Sequence, residues 1–315
     1  MAQGPGCTGP QQRNGSMQKI FENRWFLLFV IGLTWGSSFI LIKKSLIAFT
    51  PYEIGAIRVG VSGLIMAYIG VPALRRIPKN TLGWIVLSGF FGNFLPMFLF
   101  PLAQIEVNSS LAGILDSLVP VFVLVLGFVV FGIRTKTIQI VGAIIGFLGA
   151  ATLMYFSESS TEESQLGYAL LVVLATACYA LSALIIKQKL QHVPSMQLSG
   201  SVFAIWAIPS FLILIFTGFF NNFQSNSETW EALGYLAVLT IFGTAIAMIL
   251  YYKLIQNTSP VFASTVTYLL PVVAVIWGLL DGESFTIWYV VGGLLILAGI
   301  YLIREKKKDV RPNPR

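Results

Sequence analysis

Charge is what this 315-residue sequence has least of: Asp, Glu, Lys and Arg together make up 10% of it, where an ordinary soluble domain carries about 25%. With 56% hydrophobic residues and a mean hydropathy of +0.80, a soluble fold would have nowhere to put its apolar surface. A bilayer would, because each spanning helix takes roughly 20 mostly apolar residues. Histidine is almost missing too, with His192 alone, and cysteine is limited to Cys7 and Cys178. Two cysteines, one in a polar tail and one inside an apolar run, make no disulfide framework, and Cys178 reads as a small buried apolar residue. The sequence contains no GxSxG, HExxH or GxxxxGKS/T pattern, so covalent hydrolysis, zinc hydrolysis and ATP-driven pumping each lack their parts. An intramembrane enzyme would need a nucleophile with its base, or a metal cluster. No cofactor and no metal site is expected.

What the sequence does have is long apolar runs, near 25–43, 54–74, 82–102, 110–132, 138–156, 166–186, 197–219, 232–252, 261–280 and 286–303. The expectation is an all-α membrane protein of ten spanning helices. Residues 1–16, polar and rich in Gly, Pro and Gln, are expected to be a disordered tail, and 304–315 a basic one. The first apolar run lacks a small-residue cleavage site and reads as an uncleaved helix. The net charge of +7 does not point to nucleic acid, because the basic residues lie between apolar runs. With the N-terminus placed in the cytoplasm, seventeen of the 20 Lys and Arg residues fall on that side. Lys43 and Lys44 fall outside and Arg58 falls within a span, while Glu53, Glu106, Glu158 and Glu228 gather on the outer side. By the positive-inside rule both termini are cytoplasmic, in a multi-pass plasma-membrane protein.

The chain also repeats itself. Gly83 to Pro120 lies over Gly234 to Pro271 without a gap, at an offset of 151, with Gly83/Gly234, Phe91/Phe242, Gly92/Gly243, Met97/Met248, Leu99/Leu250, Ala112/Ala263, Leu118/Leu269 and Pro120/Pro271 identical. Upstream, the stretch from Trp35 lies over that from Tyr179, pairing Ser38 with Ser182 and Lys43 with Lys187. Downstream, VGAIIGFLGA from Val141 lies over VGGLLILAGI from Val291. The repeats are 17–156 and 157–303. Five helices is an odd number, so the second half would enter the membrane from the opposite side, as in secondary transporters built from inverted repeats.

The segments WGSSFILIK, AIRVGVSGLIM, NSSLAGILDSLVPVF, GAIIGFLGA, SPVFASTVTYLLPVVAVIWG and VVGGLLILAGIYL resemble the EamA-type family of the drug/metabolite transporter superfamily, from Trp25 to about Arg304. The resemblance implies ten helices in two repeats and the export of a small metabolite such as an amino acid. A non-transporting sensory or structural membrane protein is the other class the residues allow. In one place the pattern is broken: the family's Gly-Glu after the fourth helix is Phe131-Gly132-Ile133 here, and only the second half keeps the acid, at Gly282-Glu283.

Charges at membrane depth are costly, by about 2.5 to 3.5 kcal/mol on insertion scales, and mark functional candidates. Arg58 and Asp116 qualify. Their depths differ by a few residues at ~1.5 Å each, so they are expected to meet as an ion pair, to contact substrate, or to couple a proton at Asp116. Asn93, in the third run, is a further polar candidate. Trp35, Tyr179 and Tyr268 are candidate stacking residues for the substrate, and Tyr251 and Tyr252 are similar in kind. Gly142, Gly146, Gly149, Gly292 and Gly299 are expected to let helices touch, and Lys43 and Lys187 to snorkel to headgroups. The expected partners are a small-molecule substrate and the bilayer. The sequence leaves open whether the protein is a monomer or a homodimer.

Overall fold

The computed structural model describes residues 23–107, 109–155, 166–280 and 287–303. The expectations for the tails, the loop of Glu158 to Glu163 and Gly282-Glu283 fall outside the described residues. Among the described residues every regular element is helical. In chain order these are α1 (Arg24–Gly36), α2 (Ser38–Ser45), α3 (Pro51–Arg76), α4 (Lys79–Gly89), α5 (Leu95–Ala103), α6 (Ser109–Asp116), α7 (Val119–Phe131) and α8 (Thr137–Tyr155). There follow α9 (Leu166–Lys189), α10 (Ser195–Phe216), α11 (Phe219–Asn222), α12 (Ser227–Val238), α13 (Ala247–Asn257), α14 (Pro260–Ser264), α15 (Leu269–Leu280) and α16 (Ile287–Ile303).

Local chemistry sets the ends of several of these helices. Thr50 and Glu53 form a capping box at the start of α3: the Thr50 hydroxyl accepts from the Glu53 N–H at 3.3 Å, and Glu53 Oε2 accepts from the Thr50 N–H at 2.8 Å. Proline at the first position suits the same end, where its missing N–H costs nothing. Asn226 caps α12 by accepting from the Thr229 N–H. At the end of α7, Gly132 takes a left-handed conformation (φ 63°), which a glycine adopts without steric cost.

Among the described residues, six helices are long and apolar enough to cross a membrane in one stretch: Arg24–Ser45, Pro51–Arg76, Lys79–Ala103, Gly167–Lys189, Ser195–Phe216 and Ser227–Asn257. Four further apolar stretches, Val119–Phe131, Thr137–Thr152, Pro260–Val273 and Val290–Ile303, accompany them. Two of these segments carry interruptions. α6 and α7 are separated at Ser117-Leu118, one residue before Pro120, and α14 and α15 are joined by a 3-10 turn, Thr265–Tyr268, just before Pro271. A proline cannot donate to the carbonyl four residues back, here those of Asp116 and Thr267.

Two of the long helices contain π-helical segments, Phe90–Phe94 between α4 and α5 and Leu239–Ile246 between α12 and α13. At the offset of 151 these overlap, and each contains one of the matched glycines. A Cβ on Gly92 would lie 2.2 Å from Ser182 Oγ, and a Cβ on Gly243 would lie 2.9 Å from Ser38 Oγ. Ser38 and Ser182 are themselves matched by the repeat, so each half inserts its serine against the other's π segment.

Two glycine seams bind the bundle. α3 runs against α10, where a Cβ on Gly70 would fall 2.1 Å from the Gly200 carbonyl oxygen. α8 runs against α16, where a Cβ on Gly142 would meet Gly299 O at 2.9 Å and one on Gly149 would meet Gly292 O at 2.8 Å. The role expected of these glycines, close helix contact, is the one they have.

Candidate functional site

Where the repeated segments converge they enclose a cavity of about 50 Å³. Ten of its fourteen lining residues form five repeat-related pairs: Trp35 with Tyr179, Met97 with Met248, Phe100 with Tyr251, Asp116 with Thr267, and Val119 with Leu270. The other four are Ser38, Phe39, Ile42 and Arg58, all from the first half. The breaks before Pro120 and Pro271 put Asp116 and Thr267 at equivalent positions, each four residues before a proline that cannot donate to its carbonyl.

Five of the lining residues are aromatic. Tyr179 stacks on Phe100 at 5.9 Å and 25°, Phe39 lies 6.0 Å from Phe100, and Trp35 tilts against Tyr251 at 4.8 Å. Trp35 is held by its indole N–H, which donates to the Gly243 carbonyl at 3.0 Å. That tether fixes a first-half side chain to the second half's π segment.

The two charges depart from the pairing. Arg58 and Asp116 are 5% and 4% exposed, and both line the cavity, yet the expected ion pair between them is not formed. Arg58 Nε donates to Thr244 Oγ1 at 3.1 Å, and Asp116 Oδ1 has no hydrogen-bond partner. Thr244 is held in turn by donating to Leu239 O, five residues back, as π geometry allows. The π segment therefore positions the acceptor that engages Arg58 Nε. No lining residue from the second half is charged.

Of the candidate residues, Trp35, Arg58, Asp116 and Tyr179 come together at the cavity, while Asn93 and Tyr268 do not line it. Asn93 is buried and donates to the Tyr252 hydroxyl. Tyr268 is buried, with its hydroxyl donating to the Ala143 carbonyl at 2.7 Å, and its ring occupies the space that a side chain at Gly146 would need. Asn93 Oδ1 is buried without a hydrogen-bond partner. Lys187, expected to reach headgroups, donates to the Gln256 carbonyl at 2.9 Å. Sequence reasoning passed over Phe100, Met97, Met248 and Thr267. The signal was present, because adding the repeat offset to Asp116 leads directly to Thr267.

Two larger depressions flank the cavity along the helices. One of about 1020 Å³ is lined by Arg24, Arg134, Lys136, Val123, Leu124, Pro260 and neighbours. The other, of about 250 Å³, includes Phe49, Glu53 and Glu228. Val119 of the cavity and Val123 of the larger groove are one turn apart on α7, about 6 Å at 1.5 Å per residue. Among the described residues there is no group of three or more His, Cys, Asp or Glu that could hold a metal ion.

Comparison with known proteins agrees with this architecture. The model of the EamA-like transporter family matches residues 24–155 and 166–304. An uncharacterized transporter of Archaeoglobus fulgidus is 27% identical over 285 residues, 90% of this chain and 99% of its own. The uncharacterized inner membrane transporter YedA of Escherichia coli is 26% identical, covering 89% of this chain and 92% of its own. A probable amino-acid metabolite efflux pump of Salmonella typhimurium is also 26% identical, covering 88% and 93%. A solved crystal structure superposes with a TM-score of 0.68 at 17% identity, over 88% of this chain and 94% of that one, a likeness of fold.

Proposed function

The chain belongs to the EamA-like transporter family, and from that premise we propose that it is a secondary transporter exporting a small metabolite such as an amino acid across the plasma membrane. The mechanism is alternating access, in a chain of ten helices arranged as inverted repeats 17–156 and 157–303, with both termini cytoplasmic. The observation that carries this reading is the cavity itself, whose walls are repeat-related residues drawn from both halves around two buried charges. Inverted-repeat transporters hold their substrate at such a junction, beside interrupted helices. The interruptions at Pro120 and Pro271 and the two π segments supply the irregular backbone. The Salmonella relative, named a probable amino-acid metabolite efflux pump, suggests the substrate class.

At about 50 Å³ the cavity is well below the roughly 300–1,000 Å³ of ordinary ligand pockets, so substrate would be accommodated as helices part. The larger groove, on the Arg134 side, would lie on the cytoplasmic side in the proposed orientation. Asp116 is the acid that would couple a proton to this opening, with Arg58, Tyr179 and Tyr251 as the other titratable groups in the same cavity.

Flux into liposomes containing the purified protein tests the reading. Labelled amino acids are expected to move, faster with an imposed proton gradient, and Asp116→Asn is expected to abolish the gradient's effect. Absence of flux for every solute in a broad metabolite mixture would leave a sensory or structural role. Orientation is tested in cells with a single cysteine introduced at Gln224, Cys7 having been replaced by serine and the buried Cys178 by alanine. Labelling of that cysteine by an impermeant maleimide is expected without opening the membrane, and labelling only after opening would reverse the topology.

A further inference from the structure

Buried charges are rarely left unmatched, because removing an ion from water costs several kcal/mol that only a partner or hydrogen bonds offset. In this cavity both signs are present and neither is matched by the other. Arg58, with five guanidinium N–H donors, uses Nε on the neutral Thr244 hydroxyl, and Asp116 keeps Oδ1 without a partner. Apart from Ser38 and Thr267, the remaining lining is aromatic or apolar, with Trp35, Phe39, Phe100, Tyr179, Tyr251 and the two methionines among it.

We propose that the cavity is a zwitterion site, in which Arg58 takes the carboxylate and Asp116 the ammonium group of an α-amino acid with an apolar or aromatic side chain. The proposal rests on the transport reading above and deepens it by naming the substrate class and the two residues that select it. A lone cation would satisfy Asp116 and leave Arg58 uncompensated, and a lone anion would do the reverse. A zwitterion completes both and adds no net charge to a site at membrane depth. Both charges stand on first-half helices, α3 and α6, so the head group is held on that side and the side chain lies toward Met248, Tyr251 and Leu270 of the second half.

The test uses full-length protein in liposomes preloaded with unlabelled phenylalanine, and labelled phenylalanine in counterflow. Competitors are phenylalanine, its methyl ester, which lacks the carboxylate, and N-acetylphenylalanine, which lacks the ammonium group. Each derivative is expected to compete at least 10-fold less well than phenylalanine, and leucine and methionine to compete comparably to it. Arg58→Gln should narrow the gap between phenylalanine and its ester, and Asp116→Asn the gap between phenylalanine and the N-acetyl form. If either variant fails to fold, the wild-type competition series decides. Counterflow in which ester and N-acetyl forms compete as well as phenylalanine would overturn the zwitterion site and leave transport standing. Transport of other solutes without any amino acid would do the same, whereas absence of flux for every solute would remove the transport reading itself.

Discussion

The two halves of the molecule build one cavity from the same parts and give it different chemistry. Trp35, Met97, Phe100, Asp116 and Val119 on one side answer Tyr179, Met248, Tyr251, Thr267 and Leu270 on the other, and the reciprocal serine contacts at Gly92 and Gly243 extend the match to the packing. Charge appears on the first half alone. What is duplicated is what the backbone needs, namely small residues at crossings, prolines at interruptions and bulk in the walls. What is not duplicated, Arg58 and Asp116, is what a ligand would sense. A repeat constrains shape at both positions of a pair and leaves one of them free to carry chemistry.

The sharpest way to break this comparison is to make the halves alike. Asp116→Thr, which copies Thr267 into the first half, is expected to lower amino-acid counterflow by about 10-fold or more, the scale of losing one partner of a desolvated charge contact. Its melting temperature in detergent should not fall, since the carboxylate it removes lacks a partner at Oδ1. Flux like that of the wild type would mean that the charge asymmetry has no role in binding.

A smaller effect separates the two π segments. Gly92→Ala sets a methyl group 2.2 Å from Ser182 Oγ, against 2.9 Å from Ser38 Oγ for Gly243→Ala. Overpacking costs about 1 to 3 kcal/mol, while alanine gains about 1 kcal/mol over glycine in a helix. Gly92→Ala is therefore expected to lower the melting temperature, with recovery in the double variant Gly92→Ala, Ser182→Gly. Gly243→Ala should come out near neutral. Equal losses at both glycines would show that the two contacts are equivalent after all.

The smallest effect belongs to the tyrosine outside the cavity. Tyr268→Phe removes one hydrogen bond to the Ala143 carbonyl, worth about 0.5 to 1.5 kcal/mol, and should lower thermal stability slightly while leaving flux and competition unchanged. A change in substrate preference would put Tyr268 back among the site residues.

Much of this was legible in the sequence because the signals are periodic or costly. Apolar runs, the 151 offset and the glycines of α8 and α16 follow from length, register and the size of a side chain. Arg58 and Asp116 stand out because a charge at membrane depth needs a reason. What the sequence hid was direction. Depth alone brought Arg58 and Asp116 together, but the Thr244 hydroxyl, placed by a π segment that no residue pattern announced, holds Arg58 Nε elsewhere. Asn93 and Tyr268 looked alike as polar groups within apolar runs, and their contacts with Tyr252 and Ala143 are set by which way each helix is turned. The interruptions were foreshadowed by Pro120 and Pro271, though their form, a break at Ser117-Leu118 and a 3-10 turn at Thr265–Tyr268, was not.

The glycine seams determine how such a molecule can come apart. Each joins a helix of the first half to one of the second, α3 to α10 and α8 to α16, with main chain lying directly on main chain. Contacts of that kind have no flexible side chains between them to stretch or re-form, so sliding them apart forfeits the whole surface at once. In the proposed mechanism each zippered pair would move as one body, so that a gap admitting a solute would open between the pairs. The seams therefore cross the division that the sequence repeat draws along the chain.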